Sequence, residues 1–139
     1  MLVDLKEAEV LAFLNPPGKP GEKYGLSAGA AAGDYVFAAG MALDLETLSR
    51  RADAPTVTDE VNYCWDSIER TLALGDATLR DVMKVTCWLA DEADRPEFLS
   101  AYKARYGEGP YPARCTLVAG LAGGCRVQID ALALRGAGA

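Results

Sequence analysis

The chain has 139 residues, of which 50% are hydrophobic, a net charge of −6 and no histidine. This length and apolar content predict a single domain over 1–139 with a buried core. The first part of this domain, over 1–23, is a turn-rich lead-in. The acidic balance disfavours nucleic acid as a partner, because phosphate binding depends on clustered Lys and Arg. The start lacks a signal-peptide pattern, and no apolar run reaches the roughly 20 residues of a membrane span. We therefore expect a cytoplasmic protein without a membrane partner.

The four cysteines, Cys64, Cys87, Cys115 and Cys125, never stand at the spacing of a zinc site. Without histidine a Cys/His zinc site cannot form, so no metal is predicted. Cys64 and Cys87 lie in apolar segments and are expected to be small buried hydrophobes. Cys115 adjoins Arg114, and a nearby cation lowers a thiol pKa. Strand alternation predicts, however, that Cys115 points away from the face that Arg114 serves.

The first third of the chain predicts short strands separated by turns. Strands are predicted over 9–14, 27–31 and 35–41, and a loop over 44–55. Gly33-Asp34, between the second and third of these strands, is typical of a hairpin turn.

A helix is predicted to begin after Thr58 as N-cap and to end at Gly75. Its apolar residues recur at spacings of four, three and four, and they are Val61, Trp65, Ile68 and Leu72. These residues form one apolar face, which we expect to pack on a sheet.

The second half predicts a strand over 81–90, rich in β-branched and aromatic residues, and then a helix begun by Asp94 and Pro96 and followed by Gly107. Two final strands, over 113–119 and 125–134, flank a Gly-rich turn. The resulting order, β-β-α-β-α-β-β with an additional N-terminal strand, predicts an α+β fold. In it a mixed sheet has both helices on one face.

Arg114 is the first candidate for a functional side chain. Pro112 cannot join a ladder, so it ends the preceding segment and places Arg114 at the start of an extended run. A guanidinium held there is a candidate carboxylate clamp, whereas the plainer alternative is a surface arginine in a weak ion pair. On the closing strand Gln128 and Asp130 form a polar pair that shares one side by alternation.

Several segments together resemble one known family. They are GDYVFAAG, LGDATLRDVMKVTCWLAD, YPARCTLV and RVQIDALAL, and the likeness runs over about residues 24–134. This pattern is similar to that of the reactive intermediate deaminase (Rid/YjgF/UK114) family. The resemblance implies a chorismate-mutase-like fold and a homotrimer with ligand pockets between subunits. It also implies a cofactor-independent hydrolase that converts reactive imines and enamines to 2-keto acids and ammonia.

The resemblance also implies roles for individual residues. Arg114 matches the arginine that holds the substrate carboxylate, Gly40 matches a glycine bordering the pocket, and Thr116 stands where the backbone meets the ligand. The pocket tyrosine of the family corresponds to Tyr24 or, without a gap, to Leu26.

Two positions depart from the family pattern. Leu99 stands in the place of a family asparagine, and Gln128 replaces a glutamate that orients the attacking water. A glutamine holds a water but cannot accept its proton, and loss of a general base typically costs about 10²- to 10⁴-fold in rate. Asp130 shares the Gln128 side and substitutes for the base only if the pocket is reshaped.

Two hypotheses remain for function. One is an imine/enamine deaminase specialised for another substrate, in which Arg114 and Gln128 act on a small carboxylate-bearing molecule. The other is a non-catalytic trimer that binds small carboxylate metabolites. Ribonuclease action fits poorly with the acidic charge and the missing histidine. Assembly itself is expected because the sheet leaves one apolar face uncovered, with Leu117, Ile129 and Ala131 as candidates for that face.

Overall fold

The computed structural model describes residues 11–138. Positions 9 and 10 of the predicted first strand lie outside the described residues. The strands are β1 Ala12–Leu14, β2 Gly29–Ala32, β3 Tyr35–Met41, β4 Leu43–Asp44, β5 Ser49–Arg50, β6 Val82–Leu89, β7 Ala113–Val118 and β8 Val127–Leu134. The helices are α1 Val57–Leu74 and α2 Arg95–Tyr106. Within 11–138 neither helix is long and apolar enough to cross a membrane.

Six strands form one sheet in the order β1-β2-β3-β8-β6-β7. Only the β6–β7 pair in this sheet is parallel, so the sheet is mixed, as predicted. The hairpin at Gly33-Asp34 is confirmed by the pairing of Ala32 with Tyr35. The expectation of an irregular loop over 44–55 is partly wrong, since β4 and β5 pair there as a small separate ribbon.

Helix α1 begins two residues earlier than the sequence predicted. Its N-cap is Thr56, whose hydroxyl oxygen accepts from the backbone N–H of Asp59 at 3.1 Å. The Asp59 carboxylate accepts in return from the backbone N–H of Thr56, which completes a capping box. Thr58 instead donates its hydroxyl to Glu97 of α2 at 3.0 Å. Thr56 is favoured over Thr58 as the N-cap because an acidic residue, Asp59, stands three positions after it. The predicted end of the helix at Gly75 is confirmed.

Both helices pack on the same face of the sheet, and the core lies between them. The predicted apolar face of α1 is confirmed, because Val61, Trp65, Ile68 and Leu72 are all fully buried. Phe98 and Tyr102 of α2 join the same core cluster. Trp65 packs edge-on against Tyr106 with ring centroids 5.5 Å apart, so aromatic contacts also join the two helices.

The two sides of β8 have different surroundings. Odd-numbered residues from Val127 to Ala133 are buried against the helices, and even-numbered residues from Gln128 to Leu134 are only half-buried on the other side, the open face. The expectation that Ile129 and Ala131 lie on the uncovered face is therefore wrong, since they are 0% and 1% exposed within a single chain. Leu117, at 48% exposed, does lie on the open face, where it pairs with half-buried Trp88.

Candidate functional site

Arg114 lies on the helix-covered face of the edge strand β7. It pairs with Val85, whose side chain is buried against the helices, and residues paired across parallel strands share a face. The guanidinium lies over the Tyr102 ring, 5.0 Å from its centroid, and 5.8 Å from that of Phe98. It also donates to the hydroxyl of Thr116, two residues on along the same side. Aromatic faces and one neutral hydroxyl orient this cation but do not neutralise it.

A cavity of about 330 Å³ opens beside Arg114, between α2 and the segment before β7. Its lining residues are Leu99, Tyr102, Lys103, Tyr111, Pro112 and Arg114. Within residues 11–138 the cavity therefore has two cationic lining residues and no acidic one. The Tyr102 hydroxyl is buried without a hydrogen-bond partner among residues 11–138, and burial raises the pKa of Tyr102 to about 12. That hydroxyl stays neutral at ordinary pH and can donate a hydrogen bond.

The structure places Leu99 in this wall, so its apolar side chain borders the Arg114 cavity. Lys103 was not singled out from sequence. It lies one helical turn from Leu99, and this spacing of four residues is the signal that would have found it.

A second and larger cavity, of about 510 Å³, lies between α1, the end of β3 and the segment that precedes β2. Gly40, Leu26 and Gln128 all line it. Gly40 is required by packing, because a Cβ there would lie 2.6 Å from the Cys64 carbonyl oxygen of α1. Helix and strand thus approach closely behind this cavity.

The two alternatives for the pocket tyrosine have different surroundings. Leu26 lines the larger cavity. The Tyr24 hydroxyl donates to the carbonyl of Leu45 at 2.7 Å, which ties the lead-in to the β4–β5 ribbon. Leu45 is itself a lining residue of the larger cavity, so the Tyr24 hydrogen bond helps to hold that part of the wall in place.

Gln128 and Asp130 both lie on the open face. Gln128 pairs with Met41 and Trp88, and Asp130 pairs with Ala39 and Thr86. One oxygen of Asp130 is buried with no hydrogen-bond partner in the described part of the chain. Burial raises the pKa of Asp130, an effect that the Gln128 amide partly offsets. A carboxyl group of this kind is easier to protonate than an exposed aspartate.

Within one chain the structure does not bring Arg114 and Gln128 together. Their side chains lie on opposite faces of the same sheet, because Arg114 is in register with buried Val85 and Gln128 with half-buried Trp88. Gly40, Leu26 and Gln128 form one group, and Arg114, Thr116 and Leu99 lie in the other region. A site that uses both groups requires a second copy of the chain.

A buried ion pair anchors β8 just before Gln128. Glu60 of α1 is fully buried and accepts from the backbone N–H of Arg126 at 2.8 Å, and its carboxylate also binds the Arg126 guanidinium. The same guanidinium donates to the carbonyl of Pro55 at 2.9 Å. Both Glu60 oxygens and the Nε and Nη2 nitrogens of Arg126 are thus engaged with backbone or with the partner side chain, which fixes where Gln128 enters the sheet.

The thiols divide as the sequence predicted. Cys64 and Cys87 are buried, and burial raises the pKa of Cys87 to about 12. A thiol with so high a pKa is a poor nucleophile at neutral pH. Cys115 is exposed and pairs with Thr86 on the open face, away from the Arg114 side chain.

The sequence itself settles the family. Residues 19–135 match the family described as Endoribonuclease L-PSP, which is most of the chain. The chain belongs to this family. The resemblance to the Rid/YjgF proteins is thereby confirmed at the level of family membership. No curated protein matches the chain.

Solved structures agree on the fold. The Rid-family protein YyfA from Yersinia pestis is 16% identical with a TM-score of 0.77, and the alignment covers 89% of this chain and 98% of that one. A YjgF/YER057c/UK114 family member from Mycobacterium tuberculosis is 21% identical with a TM-score of 0.72, covering 89% and 98% of the two chains. A YjgF family member from Neisseria meningitidis is 21% identical with a TM-score of 0.71, covering 90% and 94%.

Proposed function

We propose that this protein is a hydrolase that acts on small 2-imino acids and their enamine tautomers. In this reaction one water adds to the imine carbon, the carbon–nitrogen bond breaks, and the products are a 2-oxo acid and ammonia. The observation that carries the proposal is Arg114, a guanidinium positioned by aromatic rings beside a cavity that no acidic residue lines. Its planar fork suits a carboxylate, the group common to all such substrates.

The proposal requires more than one copy of the chain. Arg114 and the Gly40–Gln128 cavity lie in separate regions of one protomer, so the Arg114 of one copy would meet the cavity of the next. The open face supports such an assembly, because Phe13 and Phe37 are 65% and 40% exposed there. Both pair with Ala30 and therefore share one face. We propose a homotrimer with its pockets between subunits.

The Gln128 amide would hold the water, and another group would activate it. Asp130 is the carboxylate next to Gln128 on the same face, and it pairs with Ala39, which lines the larger cavity. Burial raises the pKa of Asp130, which makes it a stronger base than an exposed aspartate. Gln128 then orients the water, and the reaction needs no metal or organic cofactor.

A second function, reversible binding of small 2-oxo acids without catalysis, is favoured by one observation. Gln128 has no proton-accepting group, and Asp130 does not itself line the cavity. Nucleic acid cleavage, which the family's description names, is not proposed, because the net charge of −6 opposes the approach of a polyanion.

Ammonia release from freshly generated 2-aminoacrylate tests the proposal, with wild-type protein compared with Gln128→Glu. The wild type should release ammonia faster than the uncatalysed reaction, and the added carboxylate should raise the rate by about tenfold, the low end of the effect of a positioned base. If Gln128→Glu slows a fast wild type, Asp130 alone is a sufficient base and the Gln128 amide is needed only to orient the water. If neither form releases ammonia but both bind 2-oxobutyrate, the protein is a binder.

A further inference from the structure

One face of α1 contributes a polar wall to the larger cavity. Tyr63, Ser67 and Arg70 all line the cavity. Spacings of four and three residues place them on one side of the helix. The opposite wall is largely apolar and contains Pro16, Pro17 and Leu26. Asn15 and Ser27 add polar groups from the segment before β2, so among residues 11–138 a bound molecule meets a guanidinium only on the α1 side.

Of the residues that the structure describes, Arg70 is the one basic residue that lines this cavity, and none of the acidic ones lines it. The acidic residue one turn earlier on the helix, Asp66, is engaged elsewhere, since its carboxylate binds Arg105 of α2 at 2.5 Å. Glu69 binds the same guanidinium at 2.6 Å. Among residues 11–138, Arg70 forms no salt bridge. The α1–α2 contact therefore leaves the Arg70 charge available to a ligand.

We propose that Arg70 is a specificity-determining residue that selects substrates with a second carboxylate at the end of their side chain. This inference rests on the proposed function, in which Arg114 of another copy holds the carboxylate next to the reacting carbon. The substrate class is then the imines of four- and five-carbon dicarboxylic 2-oxo acids. Arginine suits this role because its fork binds a carboxylate through two parallel hydrogen bonds.

The size of the cavity agrees with this class. Its volume of about 510 Å³ lies within the roughly 300–1,000 Å³ of typical small-molecule pockets. A two-carbon substrate side chain would leave most of that space and the Arg70 charge unused. A dianionic substrate uses both, and the apolar wall contacts the methylene groups between its two carboxylates.

Isothermal titration calorimetry of the full chain tests the inference with two probes. These are 2-oxoglutarate, which has the second carboxylate, and 2-oxopentanoate, which has the same carbon chain and lacks it. The wild type should bind 2-oxoglutarate about tenfold more tightly, as expected for one partly exposed charge-assisted contact. Arg70→Gln should abolish that preference without changing the affinity for 2-oxopentanoate, and Arg70→Lys should keep only part of it.

Arg80→Gln is the matched control, because it removes the same charge from an exposed arginine that lines neither cavity discussed above. It should leave the preference intact. Equal wild-type affinity for the two probes, or a preference that survives Arg70→Gln, would overturn the role of Arg70 while leaving the proposed function standing. Failure of the wild type to bind either probe would overturn both.

Discussion

The two faces of the central sheet differ in how much apolar surface they leave exposed in a single chain. The helix-covered face buries Val127, Ile129 and the apolar sides of α1 and α2 within one chain, and its charged group Glu60 has a complete set of partners. The open face has exposed Phe37 beside Asp130, whose buried oxygen has no partner. Among residues 11–138 the helix-covered face also has buried polar atoms without partners, on Trp65 and Tyr102, so the two faces differ in exposed apolar surface rather than in unpaired polar groups. This difference is the basis of our proposal that the chain assembles through the open face.

The candidate site is divided along the same boundary. Arg114 belongs to the helix-covered face and Gln128 to the open face, so neither face contains both groups. Under the proposed function, assembly on the open face would be required for chemistry as well as for burial of apolar surface. The predictions below test this division, in order of decreasing expected effect.

The largest effect is expected from a charge on the open face. Phe37→Asp should convert the proposed trimer to monomers, because an ionised carboxylate in an apolar interface lacks a partner. Light scattering at micromolar concentration measures the mass. Leu48→Asp is the control, since Leu48 is 50% exposed on the β4–β5 ribbon and its φ of 56° suits aspartate. A wild type that is already monomeric would contradict the proposed role of the open face in assembly.

The next effect concerns the helix-covered face. Glu60→Gln should lower the free energy of unfolding by about 3 kcal/mol, because it leaves the largely buried Arg126 charge unpaired. Urea denaturation of each variant measures this. Glu92→Gln is the control, since Glu92 pairs with Arg95 on the surface and its loss should hardly move the midpoint. Equal midpoints for the two variants would show that the buried pair is not what anchors β8.

A smaller loss is expected at the carboxylate clamp. Arg114→Ala should weaken binding of 2-oxobutyrate by about 1.5 to 3 kcal/mol, the range for a charge-assisted hydrogen bond. Arg114→Lys should lose nearly as much, because lysine keeps the charge without the planar fork. Calorimetry with each variant, checked first for unchanged mass, measures this. Unchanged affinity in Arg114→Ala would exclude both proposed functions.

The smallest effect is a pH dependence at Asp130. Burial raises its pKa in the folded chain, so the folded state holds this proton more tightly than the unfolded state, whose pKa is about 3.9. The contribution to stability is present at low pH and is lost as pH rises through the folded pKa. Asp130→Asn should therefore raise the thermal midpoint at neutral pH and not below about pH 4. A midpoint difference that is the same at all pH values would contradict this.

Local patterns predicted much of the fold. The spacing of Val61, Trp65, Ile68 and Leu72 established both the helix and its buried face, and Gly75 and Gly107 established where the helices end. Local patterns did not identify the N-cap of α1, because Thr56 and Thr58 are only two residues apart. The reciprocal hydrogen bonds between Thr56 and Asp59 distinguish them.

The parts of the site were predictable only one residue at a time. The P-A-R segment identified Arg114, and alternation correctly separated Cys115 from it. Arg70 gave no signal of its own, because its importance depends on Asp66 being engaged by Arg105 of another helix. A contact between elements distant in sequence is invisible to a local pattern.

By itself the sequence determined which residues of β8 share a side, because side chains alternate at every step along a strand. It did not determine which side the helices cover, since both sides carry apolar residues, Ile129 on one and Leu132 on the other. Only the tertiary structure decided that, through the burial of Ile129 beneath α1 and α2. The same decision placed Gln128 on the open face and Arg114 on the other, because pairing across β6 links the faces of all three strands.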